Sequence, residues 1–157
     1  MASAPLSEED RYVGLLEIGN PSEVKDEYWI WAVNRTNMNN RRPDREQENT
    51  KCGKWLIFDN MDTIDETWEK VKKAVTTGEL GFLAKVSTMK DKQERGNISQ
   101  AVICVYTYDW TDETDVSRVR EALRSIGFVK KLPYKSDEDT LAGNYAGKGK
   151  RVSKYYY

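Results

Sequence analysis

Two periods of apolar and polar positions alternate along the 157-residue chain. The run Tyr28-Trp29-Ile30-Trp31-Ala32-Val33 is aromatic and β-branched, which predicts a strand. Lys54-Trp55-Leu56-Ile57-Phe58 predicts a second, ended by the turn signal Asp59-Asn60. The period then changes. Ile64, Trp68, Val71 and Val75 fall on one face of a 3.6-residue repeat, with Thr63 and Glu66 in capping-box spacing before them and Gly78 after them. That pattern predicts a helix with Trp68 buried. Phe82–Val86 and Ala101–Tyr106 predict two further strands, the latter apolar on both faces. Asp112 is placed to cap a second helix carrying Val116, Val119, Leu123 and Ile126, which Gly127 ends. Phe128–Leu132 predicts a fifth strand, stopped near Pro133.

The order β-β-α-β-β-α-β puts two strands in sequence before each helix. Strands joined by short turns pair antiparallel, so the expected fold class is α+β, a curved antiparallel sheet with both helices packed on one face. The other face is left for a ligand. One domain spans 1–157, and residues 1–24 read as a peripheral helix after Ser7, stopped by Gly19-Asn20-Pro21, and a linker. Asn34–Thr50, rich in asparagine and arginine, reads as a long loop.

Composition narrows the chemistry. The chain has no histidine, which excludes Ser-His-Asp and Cys-His catalysis. Its two cysteines, Cys52 and Cys104, are too few for a thiolate zinc cage or a disulfide framework. Cys104 lies amid apolar neighbours, whereas Cys52 sits beside Lys51 and Lys54, a setting that can activate a thiol. Neither Asp109, Asp112 and Asp115 nor Asp137, Glu138 and Asp139 has an EF-hand spacing, and helix capping explains the first group more simply. No cofactor and no metal is expected. The apolar runs are too short to span a membrane, and residues 1–5 lack the flank and core of a secretory signal. A cytoplasmic protein is expected, with the nucleus also open to it, and no membrane partner.

Net charge is −1, unevenly spread. Residues 1–80 hold 11 Lys/Arg against 16 Asp/Glu, and residues 81–157 hold 14 against 10. An anion-attracting side on a nearly neutral molecule follows, short of the basicity of general nucleic-acid binders.

Several segments taken together resemble a known family. They are Ala32-Val33-Asn34-Arg35, Lys51-Cys52-Gly53-Lys54-Trp55, Ala84-Lys85-Val86-Ser87-Thr88, Tyr106-Thr107-Tyr108-Asp109, the stretch Pro133 to Gly143, and Lys150-Arg151-Val152-Ser153-Lys154-Tyr155. In this order, over roughly residues 25–157, they resemble the basophilic leukaemia expressed protein family, a family of small intracellular proteins without an assigned function. The resemblance implies the fold of the cap-binding translation initiation factor 4E, in agreement with the element order above. Such factors hold methylated guanine between two loop tryptophans, with an acidic partner reading the base edge. Here the stretches Asn34–Thr50 and Ser87–Asn97 contain no tryptophan. Cap binding in its usual form is therefore disfavoured, because the cation–π sandwich is missing.

Three function classes follow, in order. First is non-catalytic binding of a phosphate-bearing ligand, a nucleotide or single-stranded RNA, on the concave sheet face. Arg35, Lys54 and Lys85 are the expected anion partners, Ser87 and Thr88 the hydroxyl donors, and Tyr106 or Tyr134 the stacking ring. Lys150, Arg151 and Lys154, in a tail ending in three tyrosines, suit contact with a polyanion, or else form a solvated end or an edge strand. Second is a protein-interaction module that takes no small ligand. A carboxylate-dependent hydrolase comes third, since no side chain of ordinary near-neutral pKa is present.

Overall fold

The computed structural model describes residues 19–33, 51–90, 99–138 and 153–157. The expected N-terminal helix, the loop 34–50, Arg35, Lys150 and Arg151 lie outside these residues. The elements are β1 (Trp29–Val33), β2 (Gly53–Asn60), α1 (Ile64–Thr76), β3 (Leu83–Ser87), β4 (Gln100–Thr107), α2 (Glu113–Ser125), β5 (Pro133–Ser136) and β6 (Tyr155–Tyr156). The six strands form one sheet in the order β1-β3-β4-β2-β5-β6, and every neighbouring pair is antiparallel.

Register assigns each side chain to a face, because successive residues of a strand point to opposite sides. Ile30, Ala32, Ala84, Val86, Ala101, Ile103, Val105, Trp55, Ile57 and Tyr134 share one side. They form a single apolar cluster with Ile64, Trp68, Val71, Ala74 and Val75 of α1 and Val116, Val119 and Leu123 of α2. Both helices thus cover the same face, as the patterns predicted, with Trp68 at 1% exposure. Gly127 ends the second helical segment with φ 114°, a conformation that glycine adopts freely. No helix among the described residues is long and apolar enough to cross a membrane.

Two expectations are corrected. Thr63 is the N-cap of α1 but makes no side-chain cap; its hydroxyl donates to Asp59 Oδ1 at 2.8 Å. Asp59, at the end of β2, outcompetes the helix backbone for that hydroxyl. The Asp112 cap of α2 forms as expected, accepting from the Asp115 amide at 3.2 Å. The last long strand begins at Pro133 instead of ending before it. Arg120 of α2 explains the shift, since its guanidinium takes the carbonyls of Phe128 at 2.8 Å and Lys130 at 2.6 Å. Those two carbonyls are then held toward the helix. Pro133, with no N–H to donate, opens β5, a position proline tolerates.

The tail supplies the last strand. β6 pairs with β5, matching the edge-strand reading of the tyrosines, and Leu132 and Tyr157 exchange two backbone hydrogen bonds of 3.1 and 3.2 Å.

Candidate functional site

The second face of the sheet carries Trp29 and Trp31 of β1, Leu83, Lys85 and Ser87 of β3, Val102, Cys104 and Tyr106 of β4, and Lys54, Leu56 and Phe58 of β2. Register sets them in ranks. Trp31, Lys85, Cys104 and Leu56 lie side by side across four strands, and Val33, Leu83, Tyr106, Lys54 and Lys135 form the next rank. Trp29, Trp31 and Tyr106 belong to this face and take no part in the helix-side core.

Lys85 is the centre of the arrangement. Its Nζ lies 3.9 Å from the ring centre of Trp29, 5.2 Å from that of Trp31 and 5.8 Å from that of Tyr106. Ring faces attract a cation, by about 0.5–2 kcal/mol depending on desolvation. Among the described residues this ammonium has no hydrogen bond and no ion pair. Burial lowers its pKa below the ordinary 10.5, and the nearby Lys54 adds to the effect, while Cys104 and Asp137 oppose it. A half-buried positive charge without an anion is costly, and an incoming anion would remove that cost.

Lys54 differs. Its Nζ sits 2.7 Å from Asp137 Oδ1, in an ion pair whose side chains are 11% and 25% exposed, and 5.7 Å from the Tyr106 ring centre. Its charge is shared with that carboxylate. Cys104 stands opposite Lys85 on β4, 4% exposed, and burial pushes its thiol pKa up, so it stays protonated at neutral pH. Cys52 is also buried, away from the solvent access an activated nucleophile needs.

Most of the other expected site residues are engaged elsewhere. Ser87 is fully buried and its hydroxyl oxygen accepts from the Val102 amide at 2.9 Å. Thr88, equally buried, donates to the Glu27 carbonyl and accepts from the Lys90 amide. Both hydroxyls hold strands and turns together and do not line an anion cradle. Tyr134 lies on the helix side at 0% exposure, its hydroxyl 2.6 Å from that of Thr107, with its ring against Gly53, where a Cβ would come within 2.3 Å of the phenol oxygen. It is a core residue and has no surface to stack on. Tyr106 is on the expected face but only 8% exposed, so it floors the site and leaves the stacking surface to Trp29 and Trp31. Lys154 lies 4.3 Å above the Trp110 ring, beside β6.

The sequence reading placed Trp29 and Trp31 in a strand and did not set them beside Lys85. The signal was their two-residue spacing, which sets both on one side of β1. Asp109, Asp112 and Asp115 do not converge: they serve Thr111, the cap of α2 and Arg118.

Comparison with known proteins bears on fold and family. A family described as Basophilic leukemia-expressed protein Bles03 matches residues 45–140. The fold is shared with a schistosome eIF4E solved with m7GpppA and 4E-BP (TM-score 0.63, 14% identity, 96% of this chain and 81% of that one). It is shared too with C. elegans eIF4E-3 in complex with the 4E-binding protein Mextli and a cap analog (0.60, 15%, 96% and 80%). An Ascaris suum eIF4E-3 with an m2,2,7G cap gives 0.57, 15%, 96% and 80%. At these identities the likeness is one of fold.

Proposed function

The chain belongs to the basophilic leukemia-expressed protein family, and on that premise we propose that it binds a phosphate-bearing ligand with a planar base, a nucleotide or a single strand of RNA, on the helix-free face of its sheet. The observation that carries this reading is the Lys85 ammonium, half-buried beside three aromatic rings and without an anion among the described residues. A phosphate would pair with it, and a base would stack on Trp29 or Trp31. The structural neighbours described with cap nucleotides support a ligand of this class on this fold. They are also described with protein partners. On this chain, however, the large exposed apolar side chains among the described residues are Tyr28, Phe58, Val129 and Tyr156, none of them on α1 or α2. The helical surface therefore offers little apolar area to a partner, and the ligand reading is preferred.

The test is a thermal-shift screen of mononucleotides, cap analogues and short RNA against the protein and Lys85→Ala. A preferred compound should raise the melting temperature at moderate salt and lose its effect in the variant. Equal shifts from every polyanion, abolished by salt and unchanged in Lys85→Ala, would assign the binding to diffuse basic charge.

Two further outcomes follow from the electrostatics. Asp137→Asn releases Lys54 from its ion pair and removes a negative charge beside the site. It should tighten phosphate binding by about three- to tenfold, measured by calorimetric titration. Unchanged or weaker binding by the folded variant would exclude Lys54 from the ligand's field.

The second outcome concerns pH. Above about pH 7 a phosphomonoester is already a dianion. Affinity should then fall as pH rises through the lowered pKa of Lys85, beginning well before 10.5. The ligand-free protein should behave in the opposite sense. Between that lowered value and 10.5 the unfolded chain binds more protons than the folded one, so this group adds stability as pH rises. Lys85→Arg, charged throughout, should flatten the affinity profile. A wild-type profile that is already flat would mean that the amine does not pair with the ligand.

A further inference from the structure

A second aromatic pair lies beyond Tyr106. Phe82, just before β3, and Tyr108, just after β4, stack with ring centres 4.1 Å apart and planes inclined by 16°. Phe82 also stands 6.4 Å from Tyr106, so the rings run on from the Lys85 site without a gap. Both are half-buried, and neither packs on the helix-side core that absorbs Trp110, Phe128 and the tail tyrosines. Their burial thus does not serve that core.

Register gives the spacing. Trp31 shares its rank with Cys104, and Tyr108 lies four residues further along the same strand direction. At about 3.4 Å per residue the two aromatic stations are roughly 14 Å apart along the strands, and two strands apart across them. Lys85 stands in the rank of Trp31 itself, and Lys54 in the one same-face rank between it and Tyr108. Along the strands the order is therefore Trp31 with Lys85, then Tyr106 with Lys54, then Tyr108, a longer platform than one base and its phosphate can cover. Aromatic side chains that stack successive bases, with cations between them, are the general means by which a sheet holds a single strand.

Resting on the nucleotide-binding reading above, we infer that Phe82 and Tyr108 form a second stacking subsite, and that the ligand is a single-stranded oligonucleotide of two or more residues crossing from Trp31 to Tyr108 over Lys85 and Lys54. One base lies against the β1 tryptophans, the linking phosphate passes the lysines, and a following base stacks on the Phe82 and Tyr108 pair. Stacking tolerates any base, so length governs affinity more than sequence does.

The experiment titrates the full chain by fluorescence anisotropy with AMP in competition, and directly with labelled di- and tetra-adenylate of RNA and of DNA. The dinucleotide should bind at least tenfold more tightly than AMP. Tyr108→Leu, which keeps apolar bulk but removes the ring, should erase that gain while leaving AMP affinity within twofold, and Phe82→Leu should do the same. Circular dichroism melting identifies a variant that fails to fold, in which case the other carries the comparison. Equal affinity for AMP and dinucleotide, or a Tyr108→Leu loss that is the same for both, overturns the second subsite while the Lys85 site stands. No binding of AMP or of either oligonucleotide overturns both. A preference for RNA over DNA would place a 2′-hydroxyl contact within the same path, and equal binding would leave stacking and phosphate pairing as its basis; either accords with the subsite.

Discussion

Trp55→Ala is expected to destabilise the protein by about 3–5 kcal/mol, the usual range for a large buried aromatic cut back to a methyl. Trp55 is fully buried in β2, and its ring centre lies 5.1 Å from that of Tyr134 and 5.2 Å from that of Tyr157, both in T-shaped arrangements. Its indole N–H donates to the Val116 carbonyl of α2 at 3.1 Å. One side chain therefore joins the sheet, the second helix and the tail. A domain of this size is stable by about 5–15 kcal/mol in total, so the variant should unfold at a much lower denaturant concentration, or fail to accumulate. Trp55→Phe, which keeps a ring but loses the hydrogen bond, should fall between the two. A midpoint for Trp55→Ala close to the wild type would show that β2 does not anchor the core.

Arg120→Ala should cost about 2–4 kcal/mol by a different route. The guanidinium is fully buried and holds three backbone carbonyls, those of Tyr157 at 2.6 Å, Phe128 at 2.8 Å and Lys130 at 2.6 Å. Charge-assisted bonds contribute more than neutral ones, and removing the donor strands buried acceptors. Burying the charge has its own cost, which is why the expected loss is less than three such bonds would suggest. Lysine cannot reproduce the fork, so Arg120→Lys should recover only part of the loss. Chemical denaturation of the three proteins checks this, and hydrogen exchange should show the amides of Leu132 and Tyr157 losing protection first. Full stability in Arg120→Ala would mean that the segment 128–132 needs no such clamp.

These two residues illustrate what the sequence carried and what it hid. The helices were legible because their signals are local. Ile64, Trp68, Val71 and Val75 announce one face through their spacing, and all are buried. Asp112 and Gly127 mark the limits of the second helical segment by chemistry confined to a few residues. The last strand was misplaced because Arg120 acts from another element, on carbonyls that look available to a sheet. Tyr134 suffered from the same error. With the strand ended at Leu132 it became a loop residue, and no alternation remained to assign it to the core.

The candidate site was legible in two of its cations and one ring. Lys54, Lys85 and Tyr106 do share a face, which follows from strand parity once the register is known. The hydroxyls of Ser87 and Thr88 were drawn into the site because their partners are remote. Val102 is 15 residues from Ser87, and Glu27 is 61 from Thr88. The Lys54–Asp137 pair spans 83 residues, which no local pattern announces. Trp29 and Trp31 read as strand formers because aromatic residues favour strands anyway; only the facing Lys85 makes them part of a candidate site.

The central claim is that a phosphate meets Lys85 while a base lies on the rings of β1. A crystal structure of the protein grown with a mononucleotide tests it most directly. The account predicts a phosphate oxygen within hydrogen-bond distance of Lys85 Nζ and the base parallel to Trp29 or Trp31. A nucleotide held on another surface, with Lys85 still against Trp29 and no anion beside it, would contradict it.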